Sequence, residues 1–143
     1  MAFSASQVTV YPTYDGTSQQ DNLAIISLTF DFIQHSQLIP IHIAESWVTQ
    51  TPGTPLAIVD GRSPQQQFVT GVVGTRPIDL PTPLTVSNAT FGIFNFPRDT
   101  GAPIILTRLF EDYLYSFALD SNDDNVIIGP SMLYYRSFIM LHS

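Results

Sequence analysis

The side chains able to do chemistry are few and scattered. The three histidines are His35, His42 and His142, and none falls in an H-x-H or H-E-x-x-H spacing. A zinc site would need all three to converge from distant parts of the chain. There is no cysteine, which excludes a disulfide framework, a thiolate metal site and a cysteine nucleophile. No G-x-S-x-G elbow, Walker loop or dinucleotide fingerprint occurs. No pair of carboxylates stands out on a strand for glycosidase chemistry. The residue types therefore predict no catalytic residue, no metal and no cofactor, and a protein that is not an enzyme.

Two short segments carry partial motifs. Asp99-Thr100-Gly101-Ala102, with Ile127-Ile128-Gly129 downstream, resembles the catalytic loop and later hydrophobic-Gly segment of retropepsin-type aspartic proteases. In that family two such aspartates share one proton and activate water, because like charges that close cannot both ionise. The family's aspartate follows a hydrophobic strand, whereas Phe96-Pro97-Arg98 precedes Asp99. Ala102 and Ile127 are only 25 positions apart, too few for the family's flap. Asp99 and Gly101 are read here as turn residues. Asp120, Asn122 and Asp124 resemble the first half of an EF-hand loop. Asn125 stands where that family needs glycine, and Ser131 where it needs a bidentate glutamate. The reading is a solvated acidic loop over 120–125. Asn88-Ala89-Thr90 matches a glycosylation sequon, read as chance in a chain without a secretion signal.

Charge narrows the choice of partner. The five basic residues, Arg62, Arg76, Arg98, Arg108 and Arg136, are all arginine; there is no lysine, and the net charge is −7. Nucleic-acid binding needs clustered Lys and Arg to displace counterions from phosphates. Five scattered arginines against twelve acids predict neither nucleic-acid binding nor attachment to an anionic membrane. Charged residues make up 12% of the chain, about half the usual share of roughly 25%. The first residues lack the positive and apolar regions of a secretory signal, and no stretch reaches the 18 apolar residues of a membrane helix. The expectation is a soluble protein.

The elements that must position these residues are short. The length, 143 residues, predicts a single β-rich domain over 1–143. Eleven prolines and eight glycines divide it as in an antiparallel β-sandwich or barrel. Strands are expected at Gln7–Tyr11, Leu38–Ala44, Leu56–Val59, Gln66–Val73, Leu84–Val86, Ala89–Phe96, Val126–Ile128 and Met132–Leu141. Another contains Ile26, Leu28, Phe30 and Phe32, alternating with polar residues and so predicted to be buried on one face. Pro40 places Leu38–Ala44 at a sheet edge, with His42 on the surface. Asp15-Gly16 and Asp60-Gly61 mark turns. Leu106, Leu109, Phe110, Tyr113, Leu114 and Phe117 recur at helical spacing, which predicts one helix over Ile104–Ala118. The alternative is a strand from Tyr113 to Leu119, with alternating aromatics.

A chain without lysine, rich in Ser, Thr and Gln, has the composition of a surface covered by neighbours, since interfaces deplete lysine and keep arginine and aromatics. The expectation is a structural, self-assembling subunit, a viral or phage virion component of the cement, capsid-decoration or tail-tube-like kind. Its partners are then copies of itself and neighbouring structural proteins. Trp47, Arg62, Arg76 and Arg98 are the candidate interface residues. The alternative is a carbohydrate-binding β-sandwich module, with Trp47 as stacking platform.

Overall fold

A computed structural model describes residues 4–17, 21–29, 40–45, 54–60, 67–73, 83–87, 100–123, 126–130 and 132–142. These residues form ten strands and one helix, so the chain is mainly β. Strands β1 (Ala5–Val10) and β2 (Ala24–Leu28) pair antiparallel as a separate two-stranded sheet. The remaining strands are β3 (His42–Ile43), β4 (Pro55–Asp60), β5 (Gln67–Val73), β6 (Pro83–Ser87), β7 (Pro103–Arg108), β8 (Glu111–Phe117), β9 (Asp120–Asp123) and β10 (Val126–Pro130). They form one sheet in the order β3-β8-β7-β4-β5-β6-β10-β9. Its end strands β3 and β9 do not pair, so among the described residues the sheet is not closed into a barrel.

Most of the expected strands are present, and β3 lies at a sheet edge as its proline required. It is only two residues long, and it runs parallel to β8, where antiparallel pairing was expected. Parallel neighbours need a long crossover; here β4 to β7 intervene between the two strands. The 120–125 segment differs too: Asp120–Asp123 is strand β9, paired with β10, where a loop was expected.

The helix expected over Ile104–Ala118 is absent; that segment is the β7–β8 hairpin. Tertiary burial overrides the local pattern here. Ile104 and Leu106 alternate into the core from β7, beside Leu56 and Ile58 from β4. On β8, Tyr113, Leu114, Tyr115 and Ser116 are all buried. A register shift explains this run. Ile104 opposes Ser116 while Ile105 opposes Leu114, which leaves Tyr115 as the extra residue of a bulge.

The one helix among the described residues, α1 (Met132–Leu141), occupies the segment expected to be the last strand. Met132 and Tyr135 are buried, and Ile139 packs against the same cluster. Their i, i+3, i+7 spacing is helical. The core thus lies where α1 meets the face of β4, β7 and β8, each buried aliphatic there contributing about 1.5–3 kcal/mol. β10 approaches β8 from the far end of the sheet order. The Ser116 hydroxyl donates to the Pro130 carbonyl at 2.6 Å, and Gly129 lies against Ser116 and Phe117.

The β1–β2 hairpin meets the body at α1. Tyr11 makes edge contacts with Tyr135 and Phe138, at 5.0 and 4.9 Å between ring centres. Buried Asp21 accepts hydrogen bonds from Tyr135 (2.7 Å) and Thr13 (2.5 Å). The Asp15-Gly16 turn forms as expected: the Thr17 amide donates to the Asp15 carboxylate at 2.9 Å, and Gly16 has a φ of 87°. The predicted face of β2 needs correction. Ile26 is 60% exposed and Leu28 only half-buried. A two-stranded sheet has nothing stacked on one of its faces, so alternation there does not imply burial. Phe30 and Phe32 lie outside the described residues. Among those residues no helix is long and apolar enough to cross a membrane.

Candidate interaction surface

The tip of the β7–β8 hairpin has the least expected chemistry in the fold. Arg108 pairs with Glu111, and only Leu109 and Phe110 connect them. Their φ angles are 54° and 66°. This is the geometry of a type I′ turn, whose twist matches the flanking strands and which normally carries Asn-Gly or Asp-Gly. Left-handed backbone costs an ordinary residue about 1–2 kcal/mol. Leu109 and Phe110 bear that strain and also project into solvent: Leu109 is 78% exposed and Phe110 fully so.

Beside the tip lies an open cleft of about 560 Å³, lined among the described residues by Pro40, Ile41, His42, Phe110, Glu111 and Asp112. Glu111 organises one wall. It accepts a hydrogen bond from the Tyr113 hydroxyl at 3.0 Å, on the same face of β8, and lies 3.7 Å from His42 Nε2. The imidazole of His42 is tilted over the Tyr113 ring at 5.5 Å. Burial, followed by the hydrogen bond and charge of Glu111, pushes the Tyr113 phenol above the usual tyrosine range. The Thr107 hydroxyl donates to Asp112 at 2.5 Å across the hairpin. The tip is thus an apolar point with a cation, Arg108, on one strand and two carboxylates on the other.

Apolar side chains are exposed in two further places. Val8 pairs with Ile26, and Val10 stands two residues along the same face of β1; all three are at least half exposed. At the end of α1, Met140 and Leu141 are also exposed.

The four interface residues expected from the sequence, Trp47, Arg62, Arg76 and Arg98, lie outside the described residues, as do His35 and Asp99. His42 is exposed, as expected, and the His142 ring lies tilted against Phe138 at 4.7 Å. Among the described residues no three His, Cys, Asp or Glu side chains are placed to hold a metal. Thr100-Gly101-Ala102 is a turn that pins the start of β7 to the end of β8. The Gly101 amide donates to Ala118 O at 2.6 Å, the Ala118 amide to Ala102 O at 2.8 Å, and Gly101 has a φ of 94°. Gly129 is needed for close approach: a Cβ there would collide with the Phe117 carbonyl and the Ser116 hydroxyl. Both glycines of the partial protease motif therefore have backbone roles. Sequence reasoning missed the tip itself, because Leu-Phe carries no turn signal.

Compared with known proteins, the chain matches no family model and no curated relative.

Proposed function

We propose that this protein is a self-assembling structural subunit, a virion component of the capsid-decoration, cement or tail-tube-like kind, with its large sheet folded over as a sandwich. The observation that carries the reading is the set of exposed apolar groups: Leu109 and Phe110 at the hairpin tip, Val8, Val10 and Ile26 on the small sheet, and Met140 and Leu141 on α1. These sit on a chain with no lysine. Desolvating an ammonium group is costly, so a lysine-free surface suits a contact of roughly 800 Å² per partner. Arginine is retained because its planar fork binds carboxylates with two parallel hydrogen bonds. Arg62, Arg76 and Arg98 belong to proline- or glycine-containing sequence and would serve that role. The contact of β10 with β8 supports a sheet that doubles back on itself. Light-scattering mass over a concentration series tests the reading: the chain should run as an oligomer and co-purify with a native particle.

A further inference from the structure

We propose that the Leu109–Phe110 tip is the self-docking element of the subunit, and that its occupant is a second copy of this chain. The proposal rests on the assembly reading above and names the contact.

Two consecutive bulky residues in left-handed backbone are a strained arrangement, and strain of this kind is held where it serves a function. The chain uses Asp15-Gly16 at another turn, so Leu-Phe at this one is not a lack of suitable turn chemistry. The turn presents Phe110 entirely to solvent beside a cleft walled by Pro40 and Ile41. That cleft has ample room for a phenyl ring.

Charge selects the occupant. The hairpin carries Arg108 on β7 and Glu111 and Asp112 on β8. In the proposed dimer, a two-fold axis beside the tip sets Arg108 of each copy against Glu111 or Asp112 of the other. The same operation sets each Phe110 into the other's cleft. The surface is thus complementary to itself, as an isologous dimer contact must be. The two carboxylates at its edge would repel an anionic lipid surface.

The experiment uses the full chain with both turn residues replaced, Leu109→Asn and Phe110→Gly. Asn-Gly is the preferred type I′ pair, so at concentrations where both are monomeric the variant should unfold at a thermal midpoint no lower than the parent's. Its self-association should weaken at least tenfold by sedimentation velocity. Arg108→Glu and Glu111→Arg should each weaken association alone, and an equimolar mixture of the two should restore it. Equal association by the Asn-Gly variant and the parent would overturn the tip as docking element while leaving assembly standing. A parent that remains monomeric throughout would remove the assembly reading itself. Tip-dependent sedimentation with phosphatidylcholine vesicles, without self-association, would overturn the second copy as occupant.

Discussion

The Tyr135 hydroxyl donates a 2.7 Å hydrogen bond to Asp21 Oδ1, joining residues 114 positions apart. Both groups are buried. The bond, together with the contacts of Tyr11 on Tyr135 and Phe138, fastens the β1–β2 hairpin to α1. Arg136, the next helix residue, reaches Glu45 at 3.0 Å and so ties α1 to the chain just after β3. The helix is therefore the element through which the small sheet and the edge of the large sheet hold their positions.

Tyr135→Phe should cost about 1.5–3 kcal/mol, the range for a hydrogen bond to a charged group. The ring contacts remain, but Asp21 keeps only the Thr13 hydroxyl among the hydrogen bonds described above. Denaturant unfolding measures the change. A loss below about 0.5 kcal/mol would show that the hairpin is not fastened here.

Gly129→Ala should destabilise by at least about 2–3 kcal/mol, because overpacking against backbone cannot be relieved by a rotamer change. The obstacle is the Phe117 carbonyl. A variant with an unchanged unfolding midpoint would contradict the close approach of β10 to β8.

Stability should fall as the solution is made alkaline. Burial pushes the Tyr115 phenol above its ordinary range, and burial with Glu111 does the same to Tyr113. Their folded-state pKa values are raised, so the stabilisation is fully present below the unfolded value of about 10. Above it the unfolded chain loses protons that the folded chain keeps, and stability declines toward the folded values. Tyr115→Phe should reduce that alkaline slope in unfolding measured from pH 9 to pH 12. An unchanged slope would mean that Tyr115 does not contribute to it.

Ile26→Ser should change stability by less than about 0.5 kcal/mol, as surface substitutions do. Its 60% exposure places it outside the core. A cost of several kcal/mol would restore the buried face that alternation in the sequence suggests.

The strand-rich class was legible because prolines, glycines and alternation all point the same way. The edge position of β3 was legible from Pro40. The helix was placed wrongly for two physical reasons. Leu106 to Phe117 satisfies helical spacing by accident, and the turn that breaks it is built from Leu109 and Phe110, which carry no turn signal. The alternating aromatics from Tyr113 to Leu119 did point to strand β8, but the bulge at Tyr115 buries Leu114 and Ser116 as well, so the buried run does not follow that alternation. At the C-terminal end, a run that is apolar almost to the last residue suggested a strand, while the spacing of Met132, Tyr135 and Ile139 already described the buried face of α1. Of the candidate surface, only the exposure of His42 could be read in advance. Positive φ angles and cross-strand neighbours are properties of the folded backbone.

Self-assembly is measured by the mass of the full chain in light scattering across a concentration series, at low and at physiological salt. With a net charge of −7, subunits repel one another at low ionic strength, and screening weakens that repulsion. A self-assembling subunit should form an oligomer whose population grows with concentration and with salt, and should be found in purified native particles. A monomer at high micromolar concentration under both conditions, absent from any particle, would contradict self-assembly.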